Sequence, residues 1–484
     1  MLAQLFLAFL VVFLFYHFYW KRRNLPPGPV PLPFIGNVHQ FDISNAEQQL
    51  LGYRNKYGKV FTLWLPEPYV IFGDFELMKS NFKKDEFSGR PKMEAMKLLL
   101  EGNYGLVINE NFWWKSQRRF ALHVLRDFGI GKPILESATI HESRNLVENL
   151  NATKGEPCEL QPFVVNSVGN IIHQLVFGFT RELDDPFMLN FKEDSMITIE
   201  FFNTPQMFVI EQFPQAARFM DLRKLMESND RILNMLQEQI DIHKKTVDYD
   251  EAPRDYIDAY LIEMKKREKE GDLGEFTDHQ LKISLYDLFF AGMETTVTTL
   301  RHAILRMILN PKIQAKVHEE IDRVLGRETE PTMKDQSRLP YINAVIQETQ
   351  RISNVVVMNL PHKTTEEVEV EGFKIPKDTV VIPQYPIVHM DPREFENPNE
   401  FRPERFISAD GEFVKDERVI PFSIGKRACL GEGVARMELF IYFTTMLQKF
   451  EFLPEVDGKM PPLDFVVIAT KAPKTYHMRA IPRV

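Results

Sequence analysis

Phe422-Ser423-Ile424-Gly425-Lys426-Arg427-Ala428-Cys429-Leu430-Gly431 carries one of the chain's two cysteines in a run spelled F-x-x-G-x-R-x-C-x-G. Gly425 permits a tight turn, and Gly431 permits close backbone approach or a positive φ. From Glu432 to Phe450 the chain is rich in Ala, Met, Leu and Phe with few breakers, which predicts a buried helix. Cys429 therefore stands near a helix N-terminus, where the macrodipole favours an anion and lowers a thiol's pKa. A thiolate so placed can ligate a metal. The plain alternative is a structural cysteine in a glycine-containing turn ahead of a core helix. A second group of candidates is Ala291-Gly292-Met293-Glu294-Thr295-Thr296, midway along a proline-free stretch. A mid-helix glycine costs about 1 kcal/mol relative to alanine. A glutamate in a buried helix costs more unless it is solvated or paired. Thr295, four residues after Ala291, can bond the Ala291 carbonyl and bend the helix. Three such departures in one turn mark a candidate site for proton chemistry, set against a threonine-rich core helix with a packing glycine.

Both runs resemble signatures of the cytochrome P450 superfamily. The resemblance implies a haem b cofactor with Cys429 as the thiolate ligand of its iron, which favours O–O cleavage of bound dioxygen. It further implies that Phe422 shields the sulfur, that Gly425 shapes the loop and that Arg427 pairs with a haem propionate through its planar fork. The pattern A/G-G-x-D/E-T matches from Ala291 to Thr295. It implies that Thr295 delivers protons to the oxygen being activated and Glu294 feeds that path, with Ala291 and Gly292 against the cofactor. Trp114-Lys115-Ser116-Gln117-Arg118 matches W-x-x-x-R, with Trp114 and Arg118 on one helical face, and implies contact with a propionate. In Leu360-Pro361-His362-Lys363-Thr364-Thr365, His362 is implied to meet the other propionate. Taken alone, these would be a tryptophan packed under an arginine stem and a surface histidine. Glu348 and Arg351, three apart, read alone as a surface pair contributing about 0.2–0.5 kcal/mol. The resemblance adds Arg405, from Phe401-Arg402-Pro403-Glu404-Arg405-Phe406, as third member of a buried structural network.

The elements that must position these residues follow. Thr277-Asp278-His279-Gln280 has the form of a capping box, with Thr277 as N-cap and Gln280 reaching back. From there to Asn310, before Pro311, the pattern predicts an interior helix of over thirty residues, roughly 50 Å long. A further helix starts at Ser337-Arg338-Leu339-Pro340, with proline in its first turn. Strands are expected around Tyr69–Phe72, across Val368–Ile375 and at Val380–Pro383; Asp378 stands where the family usually has glycine. The expected fold is mainly α with a small β-rich subdomain, the cytochrome P450 architecture, preceded by one N-terminal transmembrane helix. Residues 1–20 are almost wholly apolar, and residues 21–37 combine Lys21, Arg22 and Arg23 with a proline-rich hinge. Residues 38–484 form the haem-thiolate catalytic domain, with no linker, repeat or low-complexity stretch inside it.

The basic cluster after the apolar segment directs the bulk of the chain to the cytosol by the positive-inside rule. A cleavable signal peptide would need a positive n-region and a small-residue cleavage site, and neither is present. The expected location is the endoplasmic reticulum membrane, single-pass. Two cysteines build no disulfide framework, and Cys158 carries no motif. Asn151-Ala152-Thr153 is a formal glycosylation sequon that a cytosolic domain leaves unmodified. A formal charge of −9 argues against nucleic acid as a partner. Locally, Lys115, Arg118, Arg119 and Arg126 cluster on one predicted helix, and Lys426, Arg427 and Arg436 flank Cys429. In the family these basic residues receive an acidic, NADPH-dependent flavoprotein reductase; the resemblance also admits cytochrome b5, and the anchor implies membrane lipid. No G-x-G-x-x-G fingerprint in a βαβ setting serves NADPH directly. The implied reaction inserts one oxygen atom from O2 into a lipophilic small molecule: a xenobiotic, fatty acid or steroid-like compound. Family position makes Phe289, Phe290, Val355 to Met358 and Phe465 to Ile468 the pocket walls. A haem-thiolate isomerase or dehydratase, or a non-catalytic haem-binding membrane protein, are the alternatives.

Overall fold

The computed structural model describes residues 1–65, 67–128, 133–182, 185–202, 204–272, 274–467 and 470–483. Chain contacts define two compact units. The first comprises Met1–Pro91, Val356–Glu400 and Glu417–Cys429, and the second Lys92–Val355, Phe401–Asp416 and Leu430–Val484.

The first unit is built on a four-stranded sheet in the order Val60–Trp64, Pro68–Phe72, Val380–Pro383, His362–Lys363. The first two strands form an antiparallel hairpin with Val70 opposite Thr62. Pro68–Phe72 then pairs in parallel with Val380–Pro383, Val70 opposite Val381. Both inner strands are runs of Val, Ile and Phe with little alternation, as suits strands covered on both faces. The Val368–Ile375 region resolves into two strands, Val368–Val370 and Phe373–Ile375, turned by Glu371 and Gly372, both at positive φ. Asp378 adopts φ 63, which an aspartate tolerates better than most residues, and its carboxylate lies 3.3 Å from Lys363 Nζ. The N-terminal helix Leu2–Phe18 belongs to the same unit, and the segment Leu2–Arg22 is 21 residues long and apolar enough to cross a membrane.

In the second unit the predicted interior helix runs from Asp278 to Leu309, 32 residues, about 48 Å at 1.5 Å per residue. The Thr277 hydroxyl accepts from the Gln280 N–H at 3.1 Å, so the N-cap forms as expected. The reciprocal half of the capping box does not. The Gln280 side chain is buried and serves the Gly105 backbone instead, accepting from its N–H (3.1 Å) and donating to its carbonyl (3.2 Å). Leaving a buried peptide group unpaired costs more than leaving a helix end to water, so the tertiary partner wins.

Helices Gln161–Phe177, Arg223–Thr246, Pro340–Ser353 and Glu432–Lys449 pack around this long helix. Pro340 opens its helix in the first turn as expected. Three chain segments meet on Glu348. Arg351 binds it bidentately at 2.7 and 2.8 Å, Arg405 donates at 3.2 Å and the Arg402 N–H at 2.9 Å. The Glu348 and Arg351 side chains are 0% exposed, so the pair is a buried junction and not a surface ornament. Cys158 lies half-buried on a short strand paired with His477–Pro482, and burial pushes its thiol pKa up.

Candidate active site

In the first unit, backbone groups hold the cysteine loop. The Cys429 N–H donates to the Phe422 carbonyl (2.8 Å), and the Lys426 N–H donates to the Phe82 carbonyl (3.1 Å). Ser423 and Gly425 both adopt positive φ, at 61° and 82°, which folds the loop back on itself. A Cβ on Gly425 would stand 2.0 Å from the Phe82 carbonyl oxygen, so glycine is required by space as well as by φ. The loop closes as a short 3-10 turn, Gly425–Arg427, and leaves the Cys429 side chain exposed with Phe422 half-buried.

Two consecutive carbonyls anchor the neighbouring donors. His362 Nδ1 bonds the Phe87 carbonyl at 2.8 Å, and Arg427 Nε donates to the Ser88 carbonyl at 2.9 Å. Arg90 donates to the Pro361 carbonyl at 2.7 Å. All three side chains are buried. Burial first, and then the Arg90 and Arg427 guanidiniums, hold the His362 pKa well below its ordinary value, so the imidazole is neutral. Two cations and a neutral imidazole thus lie within electrostatic reach of one another. Sequence reading singled out His362 and Arg427 and missed Arg90. Its one signal was Pro91, which holds the preceding residue extended.

The second unit carries the other candidates. The Thr295 hydroxyl donates to the Ala291 carbonyl (2.8 Å), and Thr299 donates to the Thr295 carbonyl (2.7 Å). Glu294 Oε1 accepts from Thr298 (3.0 Å) and from Thr470 (3.1 Å). A Cβ on Gly292 would lie 2.6 Å from Ile172 Cδ1, so this glycine also serves packing against Gln161–Phe177. The long helix is buried before and after this turn, at Phe289 and Thr296. Between them Ala291 is exposed, and Gly292, Glu294 and Thr295 are half-exposed. Trp114 is buried on the helix Asn111–Phe128, with the Arg118 guanidinium 5.7 Å from its ring centroid.

An exposed thiol on a backbone-fixed loop suits a metal that takes one protein ligand, and the Arg90–Arg427–His362 set suits carboxylates. Haem, with one axial position to fill and two propionates, fits this donor set. The profile of the family described as Cytochrome P450 matches residues 26–479. The chain belongs to the cytochrome P450 family. It is 41% identical to the probable cytochrome P450 CYP36A1 of Caenorhabditis elegans over 99% of each chain. It is 37% identical to cytochrome P450 2C28 of Mesocricetus auratus, over 96% of this chain and 95% of that one. With cytochrome P450 2D3 of Rattus norvegicus the identity is 38%, over 96% and 94%. The protein is a haem-thiolate monooxygenase that acts on a small molecule and draws electrons from a redox partner.

The expected pocket walls of this P450 divide. Phe289 is core, its ring packed among His173, Phe177 and Phe191 at centroid distances of 5.1–5.3 Å. Phe290 instead lines a cavity of about 20 Å³ with Gln161, Ser195, Met293 and Glu294, large enough for a water molecule. Val355, Val356 and Met358 are half-buried and Val357 is buried. Phe465 and Val467 are half-buried, Val466 is exposed and Ile468 lies outside the described residues.

Proposed function

We propose that this P450 oxidises neutral or amphipathic lipophilic small molecules at the endoplasmic reticulum membrane, taking electrons from NADPH through a separate flavoprotein reductase. One observation carries the reading of the centre: the Cys429 side chain stands exposed on a loop that backbone bonds and Gly425 allow only one course. Cys429 would bind the haem iron. Arg427 and His362, with Arg90 added, and Trp114 with Arg118, would take the propionates. When bound, haem supplies the reductive activation of dioxygen, and the thiolate's electron donation favours O–O cleavage.

The chain's own residues handle protons and position. The Thr295 hydroxyl, donating to Ala291, keeps its lone pairs available to accept a proton from water and can pass its own on by rotating. Two threonine hydroxyls orient the Glu294 carboxylate, which stands half-exposed and can exchange protons with solvent. The basic residues Lys115, Arg119 and Arg126 are exposed on their helix and offer an acidic reductase its counter-charge; cytochrome b5 would use the same chemistry. The pocket-wall positions supply no charged anchor, which supports uncharged or amphipathic substrates.

The test is the reduced, carbon-monoxide difference spectrum of the membrane-expressed protein, followed by NADPH consumption with reductase over a lipophilic panel. A strongly red-shifted Soret band, lost in Cys429→Ala, is expected. A variant that keeps the wild-type spectrum sinks the assignment of Cys429. Turnover without NADPH points to an isomerase or dehydratase.

A further inference from the structure

The Glu432–Lys449 helix, which begins three residues after Cys429, carries a single acid in its buried run, Glu438. It is 1% exposed. Its Oε2 lies 3.4 Å from the Thr296 hydroxyl, and its Oε1 meets no partner among the described residues. Burial pushes its pKa up to about 8, opposed only by the Thr296 hydroxyl. The titratable groups facing this side are Tyr442, one turn along the same helix, and, next to Tyr442, Glu142 of the helix Pro133–Ala152. Tyr442 donates to the Ser167 carbonyl at 3.0 Å, and Glu142 is itself raised by burial. No cation among the described residues offsets the carboxyl, so it is a neutral acid at neutral pH.

Thr296 differs from its neighbours. Thr295 and Thr299 return their hydroxyls to carbonyls one turn back, and Thr298 bonds Glu294. The Thr296 hydroxyl leaves its own helix for Glu438. It is the side-chain tether next to Thr295 that ties the long helix to the helix following the cysteine loop.

We propose that Glu438 is a positioning residue: through Thr296 it fixes the turn of the long helix that carries Thr295, and so sets how tightly reducing equivalents are coupled to product. The proposal rests on the proton-delivery role given to Thr295. A neutral carboxyl can donate to and accept from a hydroxyl, whereas an ionised one without a cation seeks water and pulls the tether apart. Coupling therefore declines as pH rises through about 8.

The experiment measures hydrogen peroxide formed per NADPH consumed, using the full-length holoenzyme with reductase and a turned-over substrate. Glu438→Leu and Thr296→Val are each expected to raise the peroxide share several-fold, and the double variant no further. Glu438→Gln, which keeps both hydrogen-bonding functions, should couple like the wild type and lose the decline above pH 8. Independently of turnover, a neutral-carboxyl infrared band absent from Glu438→Gln should fade in the wild type over the same pH range. Wild-type coupling in both Glu438→Leu and Thr296→Val, additive effects in the double variant, or no such band at neutral pH overturns the proposal. If Glu438→Leu does not fold, Thr296→Val and Glu438→Gln carry the same contrast. Thr295→Ala is the control: if it stays coupled, the role of Thr295 falls and takes the coupling claim with it. An uncoupled Thr295→Ala beside a fully coupled Thr296→Val overturns the role of Glu438 alone.

Discussion

Two glycines in this P450 carry different constraints, and single methyl groups separate them. At Gly425 a Cβ meets a backbone carbonyl at 2.0 Å and the residue has φ 82, so neither the neighbour nor the torsion can give. At Gly292 the nearest atom, at 2.6 Å, is the end of the Ile172 side chain, which can turn to another rotamer. Gly425→Ala should therefore displace the cysteine loop and abolish haem incorporation, read as haem per folded chain. Gly292→Ala should keep its haem, with the strain against Ile172 partly offset by about 1 kcal/mol of helix propensity. A haem-replete Gly425→Ala would show that the loop has room the geometry denies it. Both glycines stood inside recognisable spacings. What ranks them is which atom stands opposite, and no spacing carries that information.

At the scale of elements, local signals set the boundaries and tertiary contacts set the partners. The long helix begins after Thr277 and ends before Asn310, where the cap and Pro311 place its limits. Gln280 departed from its predicted cap because its real partner, Gly105, lies 175 residues away. Glu348 and Arg351 read locally as a pair worth a few tenths of a kcal/mol, yet at 0% exposure the same spacing is a buried junction. Glu348→Ala strands two guanidiniums in the interior and should cost about 3–5 kcal/mol, read as a large fall in unfolding temperature. A loss under 1 kcal/mol would mean that water reaches the arginines. His243 joins the helices Arg223–Thr246 and Tyr256–Glu270, bonding the Gln239 carbonyl through Nδ1 and Asp255 through Nε2 (3.1 Å). With Asp258 held by Arg254, both ring nitrogens face acceptors, which makes the ring an imidazolium. Burial lowers its pKa, but the Asp255 hydrogen bond and charge outweigh burial and leave it raised. The folded state thus binds this proton more tightly than the unfolded chain, whose histidine titrates near about 6.5. The pair's stabilisation is full below that value and disappears as pH rises through the raised folded pKa. Denaturant unfolding against pH should show this decline in the wild type and a flatter curve in His243→Gln. Identical slopes would refute the ion pair.

For the whole molecule, the question is on which side of a membrane the two units lie. The segment Leu2–Arg22, at 1.5 Å per residue, spans about 31 Å, close to the hydrocarbon thickness of a bilayer. None of its apolar window is buried against the rest of the chain. An apolar surface of that size left in water would be a strong aggregation site, so a bilayer is its natural cover. Lys21, Arg22 and Arg23 stand at its C-terminal end with no basic residue before them, which places everything that follows in the cytosol. Asn151 reports on this choice because it is exposed at the end of the helix Pro133–Ala152, so protection by burial does not enter. The full-length chain should remain in the membrane pellet after alkaline carbonate washing, and a chain lacking residues 1–20 should be released in part. Asn151 should stay unglycosylated in cells, while a sequon added ahead of Met1 on a short polar extension should be modified in the lumen. Glycan on Asn151 with none on the extension would reverse the orientation, putting the basic face of Lys115, Arg119 and Arg126 out of reach of a cytosolic reductase and the proposed electron supply with it.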